Sequence, residues 1–463
     1  MTESMGININ KVMITTSRFL GYDKNEYGDL IVNRKEAEIV SLTFDLYLLN
    51  VGSSRIGELL DYLGVKTVTG TTWESGTING MLCNEKYKGD FHLQKYYTTE
   101  NKRNHTRKEI LADTKNLIAS KMYQELPDVI MIEDYDIQDV LSQYEDEFVD
   151  LTDKVDYDRY TDYKSKLCSK GDRFYGIPFD SGTAALFYRL DILEQAGYTE
   201  ADMQDLTWER YIEIGEDVYQ KLRIPMLTLD PTDSPLLRII MQSGGHWYVD
   251  ENNHADIEDN EYLKAGLHTY QQLLKRNVGV SVNGWNEFIS AFQNGSVASV
   301  ISGGWIVSSI KSVEEQSGLW RVVPIPVYDG EIKTVAASNV GGSAWYVLKN
   351  AKNPDAAVDF LVEMFEKDSD FMNELIGEIG LLPAVKDMSG YENYLAKGEF
   401  FGGQQVTKIL TDLSGNIITV NYGSKTYEIE AIVEDEFNNS LTQDNLSDCL
   451  SNIQVKAAAV VRE

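Results

Sequence analysis

The stretch YGIPFDSGTAALFYRLDIL, residues 175–193, decides how the larger part of this chain folds. Within it, 186–188 (Leu-Phe-Tyr) is a short apolar run of strand-forming residues, the pattern of a buried strand. Working outward, runs of the same kind recur at 129–132, 297–301, 322–325 and 345–348. Between them, apolar residues fall at helical spacing over 208–221, 236–241, 261–275, 286–292 and 353–366. Alternation of this kind predicts α/β layers with a parallel sheet. Pairs of such layers place a ligand cleft at the carboxyl ends of the strands.

Composition bounds the rest. The chain has 463 residues, 43% hydrophobic and 25% charged, too apolar for a disordered protein and large enough for two units or about three. No stretch approaches the roughly 18 consecutive apolar residues of a membrane-spanning helix. The net charge is −31, yet residues 1–110 hold 14 basic and 14 acidic side chains, so 111–463 carries all of it. Such an acidic body repels phosphate backbones and disfavours nucleic acid as its partner, whereas the neutral first part stays open to one. Cys83, Cys168 and Cys449 lie far apart without CxxC spacing, which predicts free thiols rather than a disulfide or metal framework. The N-terminus lacks a basic start followed by an apolar run, so as written the chain is expected in the cytoplasm.

In the first part, Asn33 and Glu36 read as the start of a helix carrying Ala37, Val40, Phe44 and Tyr47. Ser53 or Ser54 would cap a second helix with Ile56, Leu59, Leu60 and Leu63, ended by Gly64, and a third short helix covers 76–83. From Lys86 to Lys108 come seven basic residues against two acidic ones, with Tyr87, Phe91, Tyr96 and Tyr97 interleaved, a surface suited to phosphate contact. The segments SRFLGYDKNEYGDLIVNRKEAEIV, SSRIGELLDYLGVKTVTGTTWESGTINGMLCNEKYKGDF and LQKYYTT resemble the DNA-binding recombinase domain of large serine recombinases over residues 12–108. That resemblance implies a small, mainly helical unit over 1–110, with 54–63 and 72–82 on the helices that approach DNA. The family's catalytic domain and cysteine-ligated zinc ribbon have no counterpart here, so weak DNA binding without recombination is expected.

The larger part has no catalytic signature. His92, His105, His246, His254 and His268 are scattered, and no HExxH, GxSxG, P-loop or dinucleotide fingerprint appears. No cofactor and no metal are expected. What stands out is tryptophan beside glycine and amide-rich loops: Trp247 after Gly244-Gly-His, Trp285 after Asn283-Gly, Trp305 after Ser302-Gly-Gly, and Asn339-Val-Gly-Gly-Ser343. Glycines let a backbone approach a ligand closely and leave an indole exposed. Sugars need such flat apolar faces together with carboxylates and amides for their hydroxyls.

LPDVIMIEDYDIQ, FVDLTDKVDYDRY, DRFYGIPFDSGTAALFYRLDILEQAGYT, LTWERYIEIGEDV, NGSVASVISGGWI and NPDAAVDFLVEMF resemble an extracellular solute-binding protein of the family 1 type, a sugar receptor of ABC importers, over residues 112–460. The resemblance implies an α/β, two-lobe periplasmic-binding-protein-like fold over 111–463, its first lobe truncated at the N-terminus, closing by a hinge on its ligand. It implies a monomeric, non-enzymatic receptor for a sugar or oligosaccharide, partnered by ABC importer membrane subunits. It also implies an extracellular, membrane-anchored lipoprotein, against the N-terminus as written. By motif position, Asp180 and Trp305 would contact ligand. Glu133, Asp134, Trp247, Trp285 and Ser343 stand evenly between ligand contact and structural packing. The junction of the two likenesses falls near 109–112, as in a fusion of two incomplete modules.

Overall fold

The computed structural model describes residues 127–231, 233–440 and 446–461 of the larger part. Of the smaller part it describes 53–67 and 71–82, with short pieces at 20, 22–24, 30–32, 36, 39, 40, 42, 43, 97–99 and 102–104. Compact units cover Met1–Leu111 and Ala112–Glu463.

In the smaller unit the helices Ser53–Tyr62 and Ser75–Leu82 bury Ile56, Leu60, Ile78 and Met81 against Trp73. Gly64 takes φ 74°, and the amide of Val65 closes onto the carbonyl of Leu60, so the first helix ends where a left-handed residue is needed. Trp73 fixes the linker: its amide donates to the Asp61 carboxylate at 3.1 Å and its indole N–H to the Val65 carbonyl at 3.1 Å. Most of the expected helix after Asn33, Cys83, and most of the basic stretch from Lys86 to Lys108 lie outside the described residues.

The larger unit is built on one long strand, β2 (Gly176–Arg189), which contains the deciding stretch. Its neighbours are β1 (Val129–Glu133), β3 (Ser299–Gly303), β4 (Trp320–Val323) and β5 (Asn339–Val347). The order is β3-β2-β5-β1, with β4 also on β2. Every neighbouring pair in this sheet is antiparallel, which corrects the expectation of a parallel sheet. The reason is topological: β1 and β2 point the same way, but β5 returns from far along the chain and inserts between them. Parallel pairing among the described residues is confined to the short ladder of Leu227–Leu229 with Gly279–Ser281 and a single bridge between Thr207 and Val327.

Strand alternation on β2 serves two cores at once. Ala184, Leu186 and Tyr188 face the main cluster, while Ala185 and Phe187 face a second one with Phe292, Trp320 and Phe401. Helices pack around this frame: α1 (Asp134–Tyr144), α2 (Trp208–Leu222), α3 (Pro235–Ser243), α4 (Glu261–Lys275), α5 (Gly284–Gln293), α6 (Ile306–Lys311) and α7 (Thr426–Ser440). Their starts are written locally. The Thr207 hydroxyl accepts from the Arg210 amide at 3.1 Å, and Asn260 caps α4 by accepting from Tyr262 and Leu263. Trp208, Tyr211, Ile212, Gly215 and Val218 then give α2 its buried face. Cys168 and Cys449 are buried. No helix among the described residues is long and apolar enough to cross a membrane.

Candidate functional site

The segment Asn339-Val-Gly-Gly-Ser343 at the start of β5 gathers most of the residues singled out by sequence. Gly341 and Gly342 both take left-handed φ, 82° and 87°, and the register against β2 slips between Asn339 and Gly342 and again after Ser343. This bulged strand lies between the end of β1, which carries Glu133, and the part of β2 that carries Asp180.

Asp180 is half-buried opposite Ser343. Its Oδ1 accepts from the Ser343 amide at 2.7 Å and from the Ser343 hydroxyl at 2.6 Å. Trp305 follows β3, and the amide of Gly304 beside it donates to the Thr183 carbonyl of β2 at 2.9 Å. The Trp305 indole N–H donates to the Val340 carbonyl at 2.9 Å, yet the side chain stays 39% exposed. A β-carbon at Gly341 would sit 3.4 Å from the Trp305 Nε1 and 3.9 Å from the Glu133 Oε1, so indole and carboxylate flank the same glycine. A side chain at Gly303 would collide with the indole outright, and here glycine is what lets tryptophan lie against backbone. Trp285, on the first turn of α5, adds a second ring: it is 52% exposed and its ring centroid lies 5.5 Å from that of Trp305 at an interplanar angle of 35°. The Gly284 amide preceding it is held by the Asp230 carboxylate at 2.7 Å.

Two candidates are placed differently. Trp247 is 1% exposed, donates its indole N–H to the Thr426 hydroxyl, and packs on Tyr135, Tyr248 and Tyr422; it is core. Asp134 is buried at the start of α1. Its Oδ1 pairs with the Lys164 ammonium, itself without exposure, and its Oδ2 accepts from the Asn339 amide group at 3.2 Å. Lys164 also donates to the Ser343 carbonyl at 3.0 Å. Burial pushes the Asp134 carboxyl above the usual carboxylate range, with Lys164 pulling against it. These carboxylate oxygens are taken up by protein donors.

Glu133 stands at the edge of the site. The Tyr427 hydroxyl of α7 donates to its Oε2 at 3.3 Å, and burial, reinforced by Asp136, pushes the carboxyl up to about 7. Behind it lies Arg238, absent from the sequence reading. Its guanidinium sits 5.2 Å from the Tyr135 ring centroid and 5.9 Å from that of Tyr427, and its Nε lies 3.3 Å from the Glu430 Oε1. Arg238 carried one signal in the sequence, a lone cation in the apolar helical turn PLLRIIMQS over Pro235–Ser243, whereas Lys164, in DYKSKL beside Lys166, carried none.

The arrangement can bind a neutral, hydroxyl-rich molecule: two exposed indoles, a half-buried carboxylate with one oxygen to spare, and glycine backbone between them. Among the described residues no cluster of His, Cys, Asp and Glu has the makings of a metal site. A cavity of about 420 Å³ opens behind Gly304 and Val307, lined by Leu382, Phe400, Phe401 and Leu410.

Comparison with known proteins agrees on the larger unit. The family model described as bacterial extracellular solute-binding protein matches residues 106–401, and the Recombinase family model matches 34–126. A lactose-binding protein of Rhizobium radiobacter is 40% identical over 345 residues, spanning 74% of this chain and 82% of that one. An arabinooligosaccharide-binding protein of Halalkalibacterium halodurans is 24% identical over 300 residues, 62% of this chain and 64% of that one. Among solved structures, the ABC transporter associated binding protein from B. animalis subsp. lactis, in complex with beta-1,6-galactobiose, aligns with a TM-score of 0.62 at 22% identity, covering 82% of this chain and 93% of that one. At that identity the likeness shows the fold.

Proposed function

The chain belongs to the bacterial extracellular solute-binding protein family, with its α/β two-lobe fold, and on that premise we propose that residues 112–463 are a sugar receptor of an ABC importer. The observation that carries this reading is the exposed pair Trp305 and Trp285, with Trp305 bonded to Val340 of β5 and the half-buried Asp180 carboxylate bonded to Ser343 three residues along the same strand. Pyranose rings present C–H faces that stack on indoles and hydroxyls that donate to carboxylates. The ligand binds without a bond being made or broken, and closure of the lobes around it shifts an open–closed equilibrium that the importer's membrane subunits read. The names of the relatives point to lactose and short oligosaccharides as the first ligands to try. The receptor's place is the outer face of the membrane, in keeping with the family description.

Titration calorimetry of the full chain against lactose, arabino-oligosaccharides and malto-oligosaccharides tests the proposal. Saturable binding by at least one of them, lost on Trp305→Ala, is expected. A flat response to the whole panel at millimolar sugar overturns it.

The Recombinase match over 34–126 supports a separate role for the first unit, weak contact with duplex DNA. Mobility-shift titration of the full chain at low salt should retard DNA, and the retardation should fade steeply as salt rises.

A further inference from the structure

The geometry points to Ser343 as a positioning residue that restricts Asp180 to a single ligand-facing oxygen. The inference rests on the carbohydrate reading above and names the device by which that site selects its hydroxyl.

Both donors of Ser343, the amide and the hydroxyl, converge on the Asp180 Oδ1 at 2.7 and 2.6 Å. One oxygen of the carboxylate is therefore saturated by charge-assisted bonds. The Oδ2 has no protein donor among the described residues, and it is not buried away from solvent. An unrestrained carboxylate on a strand could turn and clamp two vicinal hydroxyls with both oxygens. This one cannot, because rotation breaks two bonds at once.

Ser343 is held in its turn. Its carbonyl accepts from the fully buried Lys164 ammonium at 3.0 Å, and that ammonium is locked to Asp134. The register slips on both sides of the residue are what aim its amide at a side chain instead of a strand carbonyl. The Ser343 hydroxyl is thus spent on Asp180 and does not reach for ligand. The site reads a hydroxyl donor through the Oδ2 alone, while Trp305 and Trp285 hold the apolar face.

Sugar affinity of Ser343→Ala, Ser343→Thr, Asp180→Asn and the Ser343→Ala/Asp180→Asn double variant, measured by calorimetry with the best sugar of the panel, tests this. Ser343→Ala should weaken binding about tenfold, the size expected for a lost bond to a charged group. Ser343→Thr should restore it to within about threefold of wild type. In the Asp180→Asn background Ser343→Ala should cost almost nothing more, because the two act as one device. Full additivity, or failure of Thr to rescue, overturns the inference while leaving the carbohydrate reading standing. Wild-type protein that binds no sugar overturns both. A ligand-free readout stands beside these: hydrogen exchange of the Ser343 amide should quicken about tenfold in Asp180→Ala. Unchanged exchange there means that the carboxylate does not hold this amide.

Discussion

Lys164→Met leaves the Asp134 carboxylate buried with Asn339 as its remaining partner, and the cost of that can be worked out in advance. Both members of the ion pair are almost wholly out of water, 0% and 3% exposed at the side chain. Removing one partner of such a pair typically costs about 3–5 kcal/mol, because an uncompensated charge is left behind. The protein has an escape, which is to keep Asp134 protonated. Its folded-state pKa then rises well above the ordinary carboxylate value of about 3.9, and stability falls by about 1.4 kcal/mol for each pH unit above that value. In wild type this carboxyl is already raised to about 6, so the variant falls behind only above that pH; two pH units, from 6 to 8, give about 3 kcal/mol.

The sign is definite: an acid whose folded pKa is raised stabilises the native state relatively at low pH and loses that contribution as pH rises. Urea unfolding of wild type and Lys164→Met between pH 4 and 8 should show a deficit that stays level up to about pH 6 and grows by about 3 kcal/mol by pH 8. The Asp134→Asn/Lys164→Met double variant should show a smaller deficit without that slope. A deficit independent of pH would refute the reasoning, since it would mean that Asp134 is not the group left unpaired.

Three further outcomes follow from the same geometry. Glu133, pushed up to about 7, is protonated in the folded state where the unfolded chain is ionised, so Glu133→Gln should gain stability relative to wild type as pH rises from about 5 to 7, read by thermal unfolding. Gly341→Ala forces a β-carbon into a left-handed position and against the Trp305 indole. It should cost about 1–3 kcal/mol of stability by urea titration and also weaken sugar binding. Trp247→Ala should cost about 3–5 kcal/mol by urea unfolding, whereas Trp285→Ala should leave stability within about 1 kcal/mol and lower sugar affinity by calorimetry.

Local order was legible in the sequence where local residues determine it. The helical spacing over 208–221 and 261–275 predicts α2 and α4, and the structure adds Thr207 and Asn260 as their caps. Strand direction was not legible, because it depends on β5 inserting between two strands that precede it by more than 150 residues. The same limit separates the tryptophans. Trp247 and Trp305 both follow paired glycines, and nothing within a few residues distinguishes them. Trp247 is core because Tyr135 and Tyr422, distant in sequence on either side, close over it. Trp305 stays at the surface because it meets glycine backbone instead of side chains. Glu133 owes its raised pKa first to burial, which no local motif announces, and then to the neighbouring Asp136; Tyr427, which pulls the other way, is 294 positions away.

The acids of the site divide by what surrounds them, and that division explains how so acidic a unit can present a carboxylate for use. Asp134 has surrendered its oxygens to Lys164 and Asn339, and Glu133, raised to about 7, is about half protonated near pH 7. Glu430 is paired with Arg238 behind them, and burial pushes Glu434 up to about 8, so it is mostly uncharged. If every one of these were ionised and facing the same hollow, their mutual repulsion would raise each pKa and spoil all of them as acceptors. Sequestering the others leaves Asp180, steadied by Ser343, as the carboxylate we propose for a ligand hydroxyl. Discrimination against an anion follows from that arrangement: one negative acceptor, with no exposed cation at its side among these residues.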